Sequence, residues 1–137
     1  MHEYLHKVQY YETDQMKVVH HSNYIRWMEE ARIAFLDAIG VSYAELETRG
    51  IISPVLSVDC QYRSMTRFGE TVRIETRLVE VKNVKYRLTY RITDAATGVL
   101  RAEGESSHCF VDPQDQVVSL KRADRMLFDQ MTAAQSQ

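Results

Sequence analysis

Two hydrophobic periods divide this chain. From Ser22 to Ile39 apolar residues return every three or four positions: Tyr24, Ile25, Met28, Ala31, Phe35, Leu36 and Ile39, with Arg32 on the same stripe. That spacing predicts an amphipathic helix. Trp27, Ala34 and Ala38 widen its apolar face, so the helix is expected to be enclosed rather than laid on a surface. Ser22 or Asn23 is placed to cap it and Gly40 to end it. A short second helix is expected after Ser42-Tyr43-Ala44-Glu45, a capping-box pattern, with Gly50 as its stop.

Beyond Ile51 the period falls to two. Strands are predicted over Ile52–Tyr62, interrupted at Ser53-Pro54, and over Glu70–Val81, Lys85–Thr93 and Leu100–Val111. In Glu70–Val81 the residues Val72, Ile74, Thr76 and Leu78 share a face. In Lys85–Thr93 the inward set is Tyr86, Leu88, Tyr90 and Ile92. Glu3–Tyr10 alternates weakly and reads as a first strand; Lys121–Ala133 reads as a polar helix with a loose tail. A strand, a long helix and four meandering strands make an α+β domain. One face of its antiparallel sheet needs a cover, and the Ser22–Ile39 helix is the element apolar enough to give it. The outer face, rich in Arg, Glu and Thr, is expected to be hidden in part by pairing or stacking between chains.

Length and charge narrow the classes. The 137 residues, 45% hydrophobic and 26% charged, suit one domain over 1–137, its last fifteen or so residues a peripheral helix and tail. A net charge of −2 gives no basic footprint for nucleic acid. No stretch has the length and apolarity of a membrane span or a signal peptide, so a cytoplasmic protein without membrane insertion is expected. Cys60 and Cys109 are expected to be buried free thiols. His20-His21 has no third ligand in register, so no metal is expected.

The chemistry concentrates in Tyr10–Arg32. Asp14 lies on a short loop, and seven residues later His21-Ser22-Asn23 opens the long helix. Helix N-termini carry unpaired N–H groups and partial positive charge, which suit a developing oxyanion. A carboxylate facing such donors can attack a carbonyl or activate water. Asp14 could equally serve its own turn, Asn23 and Tyr24 could be a cap and a core aromatic, and Glu29 with Arg32 reads as an ion pair on one helix face.

The residues Tyr11-x-x-Asp14, Val18-Val19, His21, Asn23-Tyr24, Glu29-x-Ala31-Arg32, Pro54-Val55, Tyr62 and Phe68-Gly69-Glu70 together resemble the hot-dog-fold acyl-CoA thioesterases of the 4-hydroxybenzoyl-CoA thioesterase type, including the Tol-Pal-associated branch. The resemblance runs from about Val8 to Asp112. It implies a sheet wrapped around one central helix, and hydrolysis of acyl-CoA without a cofactor. It further implies Asp14 as nucleophile or general base, the His21 backbone N–H as carbonyl polariser, and Asn23 and Tyr24 as pocket residues. A homodimer or homotetramer with the pocket between chains is implied too. The chain departs from the pattern at Lys17, where a small residue is usual, at Met65-Thr66 in place of Pro-Ala, and near Leu120-Lys121, where a proline is missing. A non-catalytic acyl-CoA-binding module is the alternative. A dehydratase of the same fold would need a His-Phe-Pro-Gly-type helix start, which this sequence lacks.

Overall fold

The computed structural model describes residues 1–135, so the end of the expected tail lies outside the described residues. Five antiparallel strands form one sheet: β1 (His2–Lys7), β2 (Val55–Tyr62), β3 (Thr71–Val81), β4 (Lys85–Asp94) and β5 (Leu100–Cys109), in the order β1-β3-β4-β5-β2. Helix α1 (Ser22–Ala38) lies against the sheet's inner face, and α2 (Tyr43–Thr48) follows it. Alternation is obeyed in β3 and β4: Val72, Ile74, Thr76 and Leu78, then Tyr86, Leu88, Tyr90 and Ile92, are all buried. They join Trp27, Met28, Ala31, Phe35 and Leu36 of α1 in one core. Register shifts at Leu78/Glu80, Val55/Ser57 and Ile92/Thr93 mark irregularities of the bulge kind, which bend and twist strands and so help the sheet curl about the helix.

β5 turns an unusual face to α1: Ala102, Gly104, Ser106 and His108. A Cβ on Gly104 would stand 2.2 Å from the Asp59 carbonyl oxygen and 2.9 Å from Met28 Cε. The missing side chain lets α1 sit down on the sheet.

Several boundaries differ from the sequence reading. β1 stops at Lys7, because Tyr10–Glu12 forms a 3₁₀ turn closed by the Glu12 carboxylate accepting the Gln9 N–H. β5 ends at Cys109, while Val111 keeps only isolated bridges to Ile52 and Val117. The C-terminal helix is two: α3 (Leu120–Ala123) and α4 (Arg125–Ala133). Asp124 leaves the helical region (φ −153°, ψ 87°) and caps α4 by accepting the Leu127 N–H. Nor is that segment simply polar, since Leu120, Leu127 and Met131 are buried. Cys60 is half-buried and Cys109 buried, both free. Helix α1 is not enclosed all round: Ile25 (38% exposed) and Ile33 (37%) open onto a groove beside the edge strand β2.

Candidate active site

The loop before α1 is a tight antiparallel hairpin. Thr13 pairs with Val19, the Asp14 N–H donates to the Val18 carbonyl (2.9 Å), and the His20 N–H donates to the Glu12 carbonyl (2.8 Å). The return limb is tied down in turn: Val18 bridges Arg67, and the Val19 N–H donates to the Thr66 carbonyl (2.8 Å). At the tip Lys17 adopts φ 64°, a left-handed backbone, and its N–H donates to the Asp14 carbonyl. Small residues, glycine above all, adopt that conformation at least cost, which gives a physical sense to the family's usual small residue here.

Glu12 anchors the base of the hairpin. The residue is 4% exposed; its Oε1 accepts from the Gln9 N–H (2.8 Å) and pairs with His6 Nε2 (2.8 Å), and its Oε2 accepts from Trp27 Nε1 (2.6 Å). Burial alone would raise its carboxyl pKa. The hydrogen bonds from His6, Gln9 and Trp27 outweigh burial and hold it below the ordinary value. Sequence reading gave Glu12 no role, since its partner Trp27 lies fifteen positions away and no local period links the two.

Helix α1 is capped by neither Ser22 nor Asn23. His20 does the work: its Nδ1 accepts the Ser22 N–H (3.2 Å) and its carbonyl accepts the Asn23 N–H (3.0 Å). Ser22 Oγ bonds that same imidazole nitrogen (2.8 Å). The Tyr24 N–H reaches the His21 carbonyl (3.3 Å). Among the described residues the His21 N–H has no acceptor. The amide assigned as carbonyl polariser is therefore the free donor at the mouth of the helix.

That mouth opens on a cleft of ≈ 310 Å³ lined by Val19, His21, Tyr24, Tyr62, Arg63, Ser64 and Met65. Tyr62, at the end of β2, donates its hydroxyl to the His21 carbonyl (3.2 Å) and sets its ring edge-on to Tyr24 (5.2 Å). Tyr24 is buried and donates to Thr66 Oγ1 (3.0 Å), so the departure at Met65-Thr66 supplies its partner. Burial raises the pKa of both phenols, Tyr24 and Tyr62, and keeps them protonated. Arg63 is paired with Glu103 (3.0 Å).

His21 and Tyr24 thus share the cleft. Asn23 does not line it: its Nδ2 donates to the Glu12 (2.9 Å) and His20 (3.3 Å) carbonyls, a clamp on the hairpin. Asp14 also lies outside this lining. Its Oδ1 accepts the Met16 N–H (2.8 Å), the Asx-turn role, while no hydrogen bond engages its Oδ2 among the described residues. The expected Glu29–Arg32 ion pair is not formed. Arg32 instead turns inward, its Nε donating to the Tyr43 hydroxyl (3.2 Å). Tyr62, Ser64 and Met65 were not assigned to the site from sequence; the one signal was Tyr62's place in the family resemblance. No group of three or more metal-ligating side chains is gathered among the described residues. No helix there is long and apolar enough to cross a membrane.

A sheet curled on one helix, with a donor-bearing cleft at that helix's N-terminus, defines the hot-dog-fold thioesterases. Residues 8–135 match the family described as the thioesterase-like superfamily, and the chain belongs to it. It is 36% identical over 108 residues to the Bacillus subtilis (strain 168) protein named "Putative acyl-CoA thioesterase YneP", covering 79% of this chain and 78% of the relative. Among solved structures it is similar to a DHNA-CoA thioesterase from Staphylococcus aureus, with TM-score 0.92, 26% identity and coverage of 96% and 88% of the two chains. It is also similar to a hypothetical protein from Thermus thermophilus, with TM-score 0.88, 34% identity and coverage of 96% and 98%. The chain is a thioester hydrolase of this fold.

Proposed function

We propose that the substrate is an acyl-CoA, cleaved by water to the free acid and coenzyme A. The carrying observation is the unaccepted N–H of His21 at the start of α1, a residue that lines the cleft beside Tyr62. A thioester carbonyl seated there gains a hydrogen bond that strengthens as its oxygen becomes an oxyanion. Asp14 then attacks the carbonyl carbon, expelling the coenzyme A thiolate and leaving a mixed anhydride for water to open, or it takes a proton from the attacking water. Tyr24 walls the acyl pocket. The relatives named as acyl-CoA and DHNA-CoA thioesterases support this substrate class.

Asp14 meets the carbonyl across a boundary between chains in this reading, because within one chain it lies outside the cleft's lining. One feature supports a homodimer or homotetramer. β2 is an edge strand that exposes Val55 (50%), Leu56 (55%) and Val58 (40%), and apolar edges of that length invite pairing. The free thiols fit a cytoplasmic setting.

Asp14→Asn and Asp14→Ala, assayed on short, long and aromatic acyl-CoAs, test the assignment. A loss of kcat of roughly 10²-fold or more is expected for both. Wild-type turnover in both variants would remove Asp14 from the chemistry. Single-turnover hydrolysis in ¹⁸O-water separates the two routes: label in the Asp14 carboxylate marks the anhydride.

A further inference from the structure

Arg101, the second residue of β5, ties together the segments that meet at the cleft. Its carbonyl accepts the N–H groups of Arg63 (2.8 Å) and Ser64 (3.1 Å), just past the end of β2. Its Nη1 donates to Ser64 Oγ (3.1 Å), and that hydroxyl donates in turn to the Leu100 carbonyl (2.7 Å). Ser64 and its neighbour Met65 line the cleft at the mouth of α1. The Arg101 Nη2 bonds two carboxylates, Glu70 Oε2 (2.8 Å) and Asp94 Oδ2 (3.2 Å). Glu70 uses its other oxygen to accept the Arg67 N–H (2.6 Å), closing the turn before β3. That turn seats the Asp14 hairpin: Val18 bridges Arg67, and the Val19 N–H donates to the Thr66 carbonyl (2.8 Å). Asp94 is fixed in its place by the Ala96 and Thr97 N–H groups, both on Oδ1 at 2.9 Å. One guanidinium therefore reaches a wall of the cleft through Nη1 and the seat of the carboxylate hairpin through Nη2. The network is largely buried, with the Arg101 side chain 14% exposed and that of Asp94 6%. The Arg101 Nε is sealed in without an acceptor among the described residues. Ion pairs taken out of water contribute little net stability against apolar packing of the same volume, and an orphaned donor subtracts from it. What the network supplies is placement, because a planar fork holds two directions at once and a single ammonium does not.

We infer that Arg101 is a positioning residue for thioester hydrolysis: through Ser64 it sets the Ser64–Met65 wall of the cleft, and through Glu70 it sets the turn that seats the Asp14 hairpin. The inference rests on the acyl-CoA reading and the Asp14 assignment above. Arg101 itself does not line the cleft, so it acts through those two neighbours. With Asp14 of one copy serving the cleft of another, each Arg101 sets one half of two sites. A misplacement of about 1 Å in such a part costs up to roughly 10²-fold in rate. The two arms have separate kinetic signatures. A displaced cleft wall weakens binding of the substrate and raises KM, whereas a displaced Asp14 is felt in the transition state and lowers kcat.

The test measures kcat and KM of the whole chain on hexanoyl-CoA and benzoyl-CoA. Arg101→Met removes both arms and should lower kcat by about 10-fold or more while raising KM by about 3- to 10-fold. Arg101→Lys pairs with Glu70 and Asp94 without also reaching Ser64, so kcat should return to within about threefold of wild type while KM stays raised. Adding Ser64→Ala to Arg101→Lys should raise KM no further, since both remove the same bond. Hydrogen exchange gives a reading free of substrate: the amides of Val19, Arg63 and Ser64 should lose protection in Arg101→Met while those of β3 keep theirs. Wild-type constants in Arg101→Met, a kcat in Arg101→Lys as low as that in Arg101→Met, or additive KM effects of the Lys and Ala substitutions overturn the inference. So does a uniform loss of protection across the sheet, which would leave Arg101 a role in the fold alone. Should Arg101→Met fail to fold, Arg101→Lys and its double variant with Ser64→Ala decide the matter. Should the wild type cleave neither acyl-CoA, the substrate reading falls, and exchange at Val19, Arg63 and Ser64 in Arg101→Lys decides the Arg101 question by itself: unchanged protection at Arg63 and Ser64 overturns it.

Discussion

Replacing Glu12 by Gln isolates the contribution of a single buried charge to the hairpin that presents Asp14. The substitution keeps shape and volume but converts one acceptor oxygen into an NH₂ donor. If the NH₂ takes the Oε2 position, Trp27 Nε1–H, now bonded at 2.6 Å, faces another donor. If it takes the Oε1 position, the Gln9 N–H at 2.8 Å does so, although His6 can switch tautomer to accept. Either way one buried donor is orphaned, at a cost of about 1–3 kcal/mol. The bonds that survive change from charge-assisted to neutral and weaken by roughly 1 kcal/mol in sum. The total is about 3 kcal/mol, or a fall in Tm on the order of 10 °C for a domain of this size. Equilibrium urea unfolding followed by far-UV circular dichroism measures it. The pH dependence has a definite sign. The folded carboxyl pKa lies below its unfolded value, so its stabilisation is complete above the ordinary carboxylate range and is lost on acidification through the folded pKa. The gap between wild type and Glu12→Gln should therefore be widest at neutral pH and narrow in acid. A double-mutant cycle with Trp27→Phe should return a coupling of about 1 kcal/mol or more. A Glu12→Gln loss under about 0.5 kcal/mol at neutral pH, or a coupling of zero, would refute the reasoning.

Two further outcomes follow from the packing of β5. Gly104→Ala places a Cβ against the Asp59 carbonyl oxygen at 2.2 Å, a backbone atom that cannot swing aside, so a loss of about 3 kcal/mol or more is expected in the same urea assay; an unchanged midpoint would show that β2 yields freely. His108 has a folded pKa near 3 against 6.5 when unfolded, so its contribution is intact above pH 6.5 and is lost as pH falls from 6.5 toward 3. Wild-type stability should decline between pH 6 and 4.5 with a slope roughly 1 kcal/mol per pH unit steeper than that of His108→Gln, and equal slopes would mean that His108 is protonated in the fold.

The parts of the fold that sequence made legible are those governed by a period. The inward sets of β3 and β4 follow directly from alternation, and α1 from its three- and four-residue spacing, because burial on one face repeats at the pitch of the element. What escaped was set by partners remote in sequence. Arg32 and Glu29 are three apart, and helical neighbours of opposite charge read as a pair. Helix α2 offers Arg32 the Tyr43 hydroxyl and β5 offers it His108 instead, and no period along α1 encodes that. Similarly, Ser22 and Asn23 are good caps by residue type, but His20 takes the Ser22 amide with its Nδ1 and the Asn23 amide with its carbonyl, leaving the Asn23 side chain free to clamp Glu12 and His20.

The same logic separates the two halves of the site. The donor half is local: a helix start always leaves amides without intrahelical acceptors, and the hairpin register decides which one stays free. Here Glu12 takes the His20 N–H and His20 takes those of Ser22 and Asn23, so the remaining amide is that of His21. The carboxylate half is not local. Asp14 serves its own turn with one oxygen and keeps the other available, on a tip held by bridges to Val19 and, through Val18, to Arg67. On the proposed reading, a tip that carries an unspent carboxylate oxygen outside its own chain's cleft is completed by a second copy. In that reading the exposed edge of β2 brings the second copy alongside. That dependence is why Asp14 substitutions should lower kcat while leaving the fold of the single chain, which Glu12 and Trp27 secure, largely untouched.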